Sequence, residues 1–374
     1  MPSLLVVASY KQSLINFRGD MIRAMISAGY EVHVAAPELQ EDDITRQSLL
    51  AWGAIPHDIP LNRVSKNPLH DISTFLMFWL LLKKLRPDAV LAYTIKPVVY
   101  GLWAARLAGV PRRYALISGL GGALGGSPSL IQRLLVFLHR RAFKGLTSVI
   151  FQNADDRAFF ERHGLLSKAS SSIVVSGSGV NLERYPEMPM PGRPMTFLMV
   201  ARLLKTKGVA EFASAARAFR KRHPEAQFRL VGWHEDQADF VSADDLADWQ
   251  NSGDLVFVGS LRDVRPEIAG ASVVVLPSYY PEGIPRTLLE ALSTGRPIIT
   301  TNTPGCRETV MDGENGYLIP PQSSRALLEA CLKISDNFDQ LSEMGRISRR
   351  LAETRFDVAK VNADILKTLQ DGFT

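Results

Sequence analysis

A short stretch of the chain has the residue types and the spacing expected of a site for a phosphorylated sugar. Glu282, Gly283 and Pro285 directly follow an apolar segment, and seven residues separate Glu282 from Glu290. Glycine lets a backbone approach a ligand closely, and proline is favoured in the first turn of a helix. If a helix begins here, one carboxylate is placed to bind the hydroxyls of a sugar and the other to bind those of a ribose.

A helix that begins near Pro285 also offers an anion site. The first amides of a helix have no partner within it, and the helix dipole favours a negative charge at this end. We therefore expect the amides of Arg286, Thr287 and Leu288 to face a phosphate. The alternative is an ordinary helix N-terminus, where glutamate is favoured without any ligand.

A basic stretch supplies the positive charge that a diphosphate requires. Arg202 and Lys207 follow a second apolar segment and precede Gly208. Arginine binds phosphate oxygens as a fork, whereas lysine binds them as a point charge. The alternative is a solvated basic loop. Because both stretches follow strands that are predicted to belong to one sheet, we expect their loops to converge.

Short apolar strands alternate with segments of helical periodicity along the whole chain. Strands that are apolar on both faces indicate a parallel sheet covered by helices, and ligands bind at the carboxyl ends of such strands. The strands predicted for the first half are Leu4–Ala8, Glu31–Ala35, Ala89–Ala92, Tyr114–Ile117, Ser148–Phe151 and Ser172–Ser176. Those predicted for the second half are Thr196–Ala201, Gln227–Val231, Leu255–Val258, Val273–Pro277 and Pro297–Thr301. The predicted helices include Asn16–Ala28, Pro128–Phe143 and Asp357–Leu369.

A proline-rich segment at residues 184–194 interrupts this alternation. It holds four prolines within nine residues, and proline continues neither a helix nor a central strand. A chain of 374 residues is also too long for one hydrophobic core. The sequence therefore predicts an α/β protein with two doubly wound, Rossmann-like domains, at residues 1–185 and 195–355.

The composition indicates a globular protein of a reducing compartment. Apolar residues make up 46% and charged residues 22% of the chain, and Cys306 and Cys331 are its only cysteines. This content excludes a disulfide framework and a cysteine-rich zinc site. The longest apolar run, from Ile72 to Leu82, is about half the length of a bilayer-spanning helix. We expect a cytoplasmic protein, and its net charge of +5 is compatible with phosphorylated substrates or an anionic membrane.

Taken together, these residues resemble the retaining nucleotide-sugar glycosyltransferases of family 4. Two glutamates separated by seven residues are the signature of that family, and Arg202 with Lys207-Gly208 matches its basic stretch. The resemblance covers essentially the whole chain in the expected order. Further matching segments are Gly177–Asn181, Val231-Gly232, Phe257–Ser260, Thr303–Val310 and Asn315–Leu318.

The resemblance implies a GT-B type fold, in which two Rossmann-like domains face each other across a cleft. The first domain would bind the acceptor, the second would bind the nucleotide sugar, and a helix at residues 356–374 would cross back to the first domain. The resemblance implies catalytic roles for Glu282, Arg202 and Lys207. It implies donor binding by Arg202, Lys207, Gly232, Leu261, Glu282, Gly283, Ile284, Pro285, Thr287, Leu288 and Glu290.

The family chemistry implied by the resemblance is transfer with retention of the anomeric configuration. The acceptor attacks from the face of the leaving group, and the leaving diphosphate takes the acceptor's proton. No Asp-x-Asp motif follows a strand of the second half, and the chain has no cluster of metal-ligand residues. We therefore expect no metal and no cofactor apart from the nucleotide-sugar substrate.

Segments of the first half resemble a particular subgroup. Its members, such as bacillosamine-extending N-acetylgalactosaminyltransferases, add sugars from UDP donors to undecaprenyl-diphosphate-linked saccharides. The matching segments are Leu14–Gly19, Tyr93–Pro97, Ser118–Gly121 and Phe151–Asn153. The acceptor-binding candidates are Arg18, Lys96, Ser118 and Gly119, of which the two cations suit a diphosphate. Many members carry a histidine where this chain has Ser118-Gly119, so its contacts with the donor sugar differ there.

Two segments of the first half suit a membrane surface. Residues 128–144 form a basic amphipathic pattern, and an apolar segment at residues 75–82 ends in Lys83-Lys84. The apolar stripe of the first segment is predicted to contain Ile131, Leu134, Leu135, Leu138 and Ala142, with Arg133, Arg140, Arg141 and Lys144 largely off it. We expect peripheral attachment to the inner face of the cytoplasmic membrane. The alternative is that both segments pack into the core of the first domain.

Other functions remain as alternatives on the same fold. A nucleotide-sugar 2-epimerase would need a carboxylate or a histidine placed for acid–base chemistry. A non-catalytic sugar-nucleotide binding protein would use the same cleft. A NAD-dependent dehydrogenase is disfavoured because Ala8-Ser9-Tyr10-Lys11 follows the first strand where that class has a glycine-rich loop. No nucleic-acid recognition motif is present, so we expect no nucleic-acid partner.

Overall fold

The structure of the protein, a computed structural model, describes residues 1–61, 68–121, 124, 130–166, 171–235 and 237–373. The chain divides into two compact units. Unit 1 comprises Met1–Ser178 together with Val358–Thr374, and unit 2 comprises Gly179–Asp357. The proline-rich segment is irregular, as predicted, but it lies inside unit 2. The change of unit comes at Gly179, earlier in the chain than the sequence indicated.

Unit 1 is built on a seven-stranded sheet in which all neighbouring strands are parallel. Its strands are β1 (Ser3–Val7), β2 (Glu31–Ala36), β3 (Ile55–Asp58), β4 (Ala89–Tyr93), β5 (Arg112–Ile117), β6 (Ser148–Phe151) and β7 (Ser171–Val174). Their order in the sheet is β3-β2-β1-β4-β5-β6-β7, so the direction of winding reverses between β1 and β4. In an open parallel sheet, this reversal leaves a crevice at the carboxyl ends of those two strands.

Helices cover both faces of the unit 1 sheet, because successive side chains of its strands point to opposite sides. On β1, Leu4 and Val6 belong to one hydrophobic cluster, whereas Leu5 and Val7 belong to another. The helices that precede unit 2 in the chain are α1 (Lys11–Asn16), α2 (Gly19–Ser27), α3 (Asp43–Ala51), α4 (Pro68–Leu85), α5 (Leu102–Ala108), α6 (Leu130–Phe143) and α7 (Ala154–Arg162).

Unit 2 repeats the same architecture with a six-stranded parallel sheet. Its strands are β8 (Thr196–Val200), β9 (Gln227–Val231), β10 (Val256–Gly259), β11 (Val273–Leu276), β12 (Ile298–Thr301) and β13 (Gly316–Ile319). The order is β10-β9-β8-β11-β12-β13, which reverses between β8 and β11. Its helices are α8 (Val209–Arg220), α9 (Ala243–Asn251), α10 (Arg265–Gly270), α11 (Arg286–Ser293), α12 (Ser324–Asp336) and α13 (Leu341–Leu351).

The last helix, α14 (Val358–Asp371), belongs to unit 1 although it follows unit 2 in the chain. Its side chains Val361, Ile365 and Leu369 join the hydrophobic cluster that also contains residues of α2. The chain beyond the helix is anchored by the neighbouring strand β5. The Arg112 guanidinium donates a hydrogen bond to the carbonyl of Gly372 at 2.7 Å, and its Cζ lies 4.0 Å from the centre of the Phe373 ring.

Several elements differ from those predicted. The predicted helix Asn16–Ala28 is two helices, because the amides of Phe17 and Arg18 both donate to the carbonyl of Ser13 and close the first helix. The strands β3 and β13 were not predicted, and both lie at an edge of their sheet. Residues 128 and 129 of the predicted helix Pro128–Phe143 lie outside the described part of the chain. Among the described residues, no helix is both long and apolar enough to cross a membrane.

Candidate functional site

The reversal of strand order in unit 2 brings the two predicted ligand-binding loops together. The loop at residues 202–207 follows β8, and the loop at residues 277–285 follows the adjacent strand β11. They are directly linked, because the amide of Tyr279 donates to the carbonyl of Thr206 at 2.9 Å. Gly208 has a φ of +81°, and a Cβ there would overlap with the backbone of Pro277. Only glycine therefore allows this close approach without strain.

Lys207 and Glu282 meet where the two loops join. The Lys207 Nζ lies 2.5 Å from Oε1 of Glu282, and only 9% and 16% of the two side chains are exposed. The ammonium also lies 5.4 Å from the centre of the Tyr280 ring. The sequence prediction that both loops share one site is consistent with this contact. Arg202, which begins the same basic loop, is half-buried.

Beneath this ion pair lies a layer of buried hydroxyl and thiol groups that the sequence did not single out. Ser278 is fully buried, and its Oγ donates to Oε1 of Glu282 at 2.9 Å. Cys306 is also fully buried, close to Thr300 and Thr303. Burial, followed by the nearby charge of Glu282, raises the pKa of the Cys306 thiol to about 11. This thiol therefore stays protonated at neutral pH and acts as a neutral part of the floor.

Helix α11 begins as predicted, with Pro285 as its N-cap residue. One expectation for its first amides was wrong: the amide of Leu288 donates to the carbonyl of Pro285 at 3.1 Å and does not face a ligand. The side chain of Leu288 is fully buried in the core of unit 2. Thr287 is fixed by a hydrogen bond of 3.1 Å from its hydroxyl to the carbonyl of Val200, at the end of β8.

The second glutamate of the pair lies one turn further along α11 in a polar cluster. Glu290 is buried, and its Oε1 accepts a hydrogen bond from Nε of Arg286 at 2.9 Å. The buried Tyr185 lies beside the same carboxylate, and burial, followed by the charge of Glu290, raises the pKa of its hydroxyl well above the usual range. The carbonyl of Tyr185 accepts a hydrogen bond from Ser293 at 2.6 Å. No pattern in the sequence indicated Tyr185, which lies within the proline-rich segment.

Two further glycines hold neighbouring loops against this site. A Cβ on Gly305 would overlap with the carbonyl of Gly283, and a Cβ on Gly232 would overlap with that of Ala201. Gly305 has a φ of +81°, so both its conformation and its surroundings require glycine. Ile284, between Gly283 and Pro285, is buried in the hydrophobic core of unit 2.

The loops after β9 and β10 complete this edge of the sheet. The amide of Gly232 donates to the carbonyl of Gly259 at 2.9 Å, and the amide of Leu203 donates to the carbonyl of Trp233 at 3.0 Å. Leu261, which follows Gly259 closely, exposes 37% of its surface. The predicted donor-binding residues thus all lie in the loops at the carboxyl ends of β8–β11 or in the first turns of α11.

In unit 1, the reversal between β1 and β4 brings a second set of polar residues together. Arg18 is buried, and its guanidinium lies 5.2 Å from the centre of the Tyr93 ring. The Tyr93 hydroxyl lies 2.8 Å from Oγ of Ser13. Thr94 has a φ of +69° and donates from its hydroxyl to Ser9 at 2.8 Å. A β-branched residue in this region is strained, and such strain is most common at functional sites.

The remaining acceptor candidates lie at the same edge of the unit 1 sheet. Lys96 is half-buried and precedes an irregular helical segment, Pro97–Gly101. Ser118 and Gly119 follow β5, the neighbour of β4, and are also half-buried. Gly119 has a φ of +115°, which favours glycine. Among the described residues, no group of three or more histidine, cysteine, aspartate or glutamate side chains is arranged to hold a metal ion.

Helix α4 of unit 1 presents an apolar face to solvent. Thr74, Phe78 and Leu82 are buried on its inner side. The residues of the opposite side are large and apolar, with 43% to 56% of each exposed: Ile72, Leu76, Met77 and Leu80. Lys83 and Lys84 are exposed at the end of this helix. The alternative that this segment packs into the core of the first domain therefore holds for only one of its faces.

Helix α6 presents a second exposed face, which differs from the predicted stripe. Its buried side chains are His139, Ala142 and Phe143, whereas Leu134 and Phe137 are at least half exposed. The exposed cations are Arg133, Arg140, Arg141 and Lys144. Of the predicted apolar stripe, Leu134 is exposed and Ala142 is buried, so the stripe neither packs wholly into the core nor faces wholly to solvent. The side chain of Ile131 lies outside the described part of the structure. Helix α5 contacts both α4 and α6.

Two family models match the chain. Residues 17–176 match the glycosyl transferase 4-like domain, and residues 194–337 match glycosyl transferases group 1. The first match lies within unit 1 and the second within unit 2. The two matches together span most of the chain.

Two curated relatives are similar over most of their lengths. The N,N'-diacetylbacillosaminyl-diphospho-undecaprenol alpha-1,3-N-acetylgalactosaminyltransferase of Campylobacter jejuni is 28% identical over 334 residues, which are 85% of each protein. The UDP-Gal:alpha-D-GlcNAc-diphosphoundecaprenol alpha-1,3-galactosyltransferase of Escherichia coli is 26% identical over 314 residues, which are 80% of this chain and 79% of that protein. Both relatives are named as sugar transferases.

Solved structures share the fold over the whole chain. The sucrose-phosphate synthase from Thermosynechococcus elongatus has a TM-score of 0.81 at 18% identity and covers 100% of this chain and 99% of its own. Anabaena HepE in complex with UDP-glucose has a TM-score of 0.79 at 19% identity, with coverage of 99% and 100%. These likenesses confirm the prediction of a GT-B type fold made of two doubly wound Rossmann-like units.

The first family model contains six of the seven strands of the unit 1 sheet. The second contains all six strands of the unit 2 sheet and both glutamates of the pair. The relatives favour neither of the alternative functions, the nucleotide-sugar epimerase and the non-catalytic binding protein. The chain therefore belongs to the glycosyltransferases, with a glycosyl transferase 4-like domain in unit 1 and a group 1 domain in unit 2.

Proposed function

We propose that the enzyme transfers an N-acetylhexosamine from a UDP-sugar to an undecaprenyl-diphosphate-linked saccharide, with retention of the anomeric configuration. The main structural support is the contact between Lys207 and Glu282, since a cation that suits a phosphate lies beside a carboxylate that suits sugar hydroxyls. The names of the two curated relatives, which act on such lipid-linked saccharides, support the acceptor class.

In this proposal the donor lies along the carboxyl edge of the unit 2 sheet. Arg202 and Lys207 bind the diphosphate, Glu282 binds hydroxyls of the sugar, and Glu290 binds those of the ribose. Glu290 already accepts a hydrogen bond from Arg286, which orients its carboxylate. The backbone beside Gly232 and the side chain of Leu261 complete the donor site. Gly283, Ile284, Pro285, Thr287 and Leu288 shape it, Leu288 through packing and not through its amide.

The proposed reaction breaks the bond between C1 of the sugar and the oxygen of the β-phosphate. Negative charge then builds on the leaving diphosphate while the sugar becomes oxocarbenium-like. Arg202 and Lys207 stabilise the leaving group, because cations placed in advance need no reorganisation during the reaction. The acceptor hydroxyl forms a new bond to C1 on the same face, and its proton passes to the departing phosphate oxygen. UDP and the extended saccharide are the products.

The acceptor diphosphate is proposed to bind at the β1–β4 reversal of unit 1. Arg18 and Lys96 supply positive charge there, and Ser118 and Gly119 border the same edge of the sheet. The strained Thr94 supports a binding role for this edge. We also propose that transfer needs no divalent cation, since Arg202 and Lys207 supply the charge opposite the diphosphate. Activity that survives EDTA supports this part of the proposal, and loss that Mg²⁺ restores contradicts it.

We further propose that unit 1 binds the inner face of the cytoplasmic membrane through the exposed faces of α4 and α6. These faces combine large apolar side chains with cations, which is the pattern that suits an anionic lipid surface. Each cation near such a surface contributes about 1 kcal/mol. A lipid-linked acceptor would be presented at the same surface.

The transfer is tested with a panel of UDP- and GDP-sugars and undecaprenyl-diphosphate saccharides. We expect consumption of a UDP-N-acetylhexosamine only when the lipid acceptor is present, with loss of turnover in Glu282→Gln. NMR of the product tests retention of configuration. If no nucleotide sugar binds or reacts with the wild-type enzyme, the proposed function is wrong.

Membrane binding is tested by sedimentation with vesicles of phosphatidylethanolamine, with and without phosphatidylglycerol. We expect binding that depends on phosphatidylglycerol and is lost in a Leu76→Ser, Leu80→Ser, Phe137→Ser variant. The control is Ile44→Ser, which replaces another exposed apolar side chain of unit 1, on α3. Equal binding by both variants contradicts the proposed surface.

A further inference from the structure

We propose that Ser278 is a positioning residue that holds Glu282 in place while Lys207 engages the donor diphosphate. The proposal rests on the proposed function, because it takes Glu282 as the ligand of the donor sugar. It adds a residue to the site that the sequence did not indicate. It also assigns Lys207 and Ser278 different tasks on the same carboxylate oxygen.

The geometry around Oε1 of Glu282 carries this inference. That oxygen accepts a hydrogen bond from Oγ of Ser278 at 2.9 Å and lies 2.5 Å from Nζ of Lys207. Ser278 is fully buried, immediately after Pro277 and the strand β11. A buried hydroxyl that donates to a carboxylate forms one of the stronger hydrogen bonds of a protein.

The hydroxyl of Ser278 is aimed by its surroundings. It accepts a hydrogen bond from the amide of Tyr280 at 3.3 Å. Of the two acceptors within reach of its own proton, Oε1 of Glu282 at 2.9 Å is nearer than the carbonyl of Thr206 at 3.5 Å. The carbonyl of Ser278 accepts hydrogen bonds from Thr301 and from Thr303, the latter at 3.3 Å. Thr301 ends the neighbouring strand β12, so Ser278 is fixed to the sheet and not only to its own loop.

Lys207 is less firmly fixed than Ser278, because its ammonium lies at the end of a flexible side chain. A bound diphosphate competes with Glu282 for this ammonium. As Lys207 turns towards the phosphate, Oε1 of Glu282 loses part of its positive partner. The rigid Ser278 hydroxyl then keeps the carboxylate in the orientation that meets the sugar. Without it, the carboxylate would have to be ordered again with each donor molecule.

This role predicts different effects on two ligands. UDP has the diphosphate and the ribose but lacks the transferred sugar, so its binding does not need an oriented Glu282. UDP-N-acetylgalactosamine needs both. We therefore expect Ser278→Ala to raise the Kd and the KM for UDP-N-acetylgalactosamine about tenfold, which matches the loss of one hydrogen bond to a charged group. The Kd for UDP should stay within about twofold of the wild-type value.

The experiment measures both dissociation constants by calorimetry, together with initial rates. Ser348→Ala is the matched control, because Ser348 is also fully buried in unit 2 and its hydroxyl bonds only Asn315, at 3.2 Å, among the described contacts. We expect this control to change the Kd of neither ligand. Ser278→Cys keeps the size of the side chain and a weak donor, so an intermediate loss is expected.

Three results would overturn the inference. An equal loss for UDP and UDP-N-acetylgalactosamine in Ser278→Ala means that the loop has collapsed and that Ser278 is merely structural. If Ser278→Ala does not fold, an unchanged ratio of the two constants in Ser278→Cys leads to the same conclusion. If the wild-type enzyme binds UDP but no UDP-sugar, the proposed function itself is wrong. This outcome is distinguishable because it is measured on the wild-type protein alone.

Discussion

Lys207 and Glu282 form a largely buried ion pair of 2.5 Å that joins the loops after β8 and β11. A charge that is removed from water needs a partner, and each of these two side chains supplies one for the other. A nucleotide sugar offers each of them a replacement, namely a phosphate for the ammonium and a hydroxyl for the carboxylate. Before the donor binds, the ion pair thus keeps both charged groups at the positions from which they can exchange partners with it.

The first prediction concerns this cation. Lys207→Ala should lower kcat by about 100-fold, because a cation opposite the leaving group is worth as much as an oxyanion-hole donor. Initial rates with UDP-N-acetylgalactosamine and lipid acceptor measure the effect. The control is Lys205→Ala in the same loop, since Lys205 is exposed and its Nζ donates to the carbonyl of Ala238. Equal losses in the two variants would contradict the assignment.

The second prediction separates backbone strain from steric overlap at Gly305. Gly305 and Gly313 both have a φ of +81°, but only a Cβ at Gly305 would overlap with neighbouring backbone, that of Gly283. Gly313→Ala should lower the free energy of unfolding by about 1 kcal/mol. Gly305→Ala should lower it by about 3 kcal/mol and also weaken UDP-sugar binding. Thermal unfolding and calorimetry measure both effects, and similar results for the two variants would refute the role of the contact.

The third prediction concerns Arg296, whose side chain is fully buried in unit 2. Its guanidinium donates to the carbonyls of Ile268 at 3.1 Å, Ala269 at 3.0 Å and Pro189 at 2.8 Å. Arg296→Met should lower the free energy of unfolding by about 3 kcal/mol, because these carbonyls are left buried without donors. Differential scanning calorimetry checks this. Arg325→Met, at an exposed i,i+4 pair, should leave Tm close to that of the wild type.

The fourth prediction concerns His139, which is buried against Phe143 and Phe160. Burial lowers the pKa of His139 to about 4, whereas the unfolded chain binds this proton near pH 6.5. The neutral ring therefore contributes its full stability above pH 6.5, and this contribution is lost as pH falls from 6.5 towards 4.

His139→Phe should therefore flatten the dependence of Tm on pH between 6.5 and 4, when both proteins are unfolded in the same buffers. Some dependence should remain, because burial also lowers the pKa of His33 and of His57. If the slope is the same in the variant and in the wild type, His139 does not titrate on unfolding as described.

The sequence predicted most of the central strands because their side chains are buried on both faces. Every residue of β11, for example, is buried, and its apolar run is visible in the sequence. The missed strands lie at sheet edges and lack that signal. Strand β3 has the sequence Ile-Pro-His-Asp and is partly exposed, and β13 begins with Gly316. Two other edge strands, β7 and β10, were predicted, so the composition of β3 and β13 explains why they were missed: the first contains proline, histidine and aspartate, and the second begins with glycine.

In the site, likewise, the sequence pattern indicated which loops meet, but it did not indicate which side chains contact the glutamates. The loops of Lys207 and Glu282 were predicted to converge because parallel strands end at a common edge. Ser278, which donates to Glu282, and Tyr185, which lies beside Glu290, had no such signal. A serine after a strand is ordinary in itself, and only the fold places its hydroxyl against a carboxylate. Helical periodicity also did not reveal which side of α6 is buried, since apolar residues lie on more than one of its faces.

The position of α14 has a consequence for how the chain is made. Residues 179–357 of unit 2 are complete before α14 leaves the ribosome, whereas unit 1 lacks its last helix until then. Unit 2 is therefore the first part of the nascent chain with all of its own contacts available. A chain stopped at Asp357 would expose the apolar surface that Val361, Ile365 and Leu369 cover. It would be a substrate for chaperones and proteases, although every residue assigned here to donor or acceptor binding would be present.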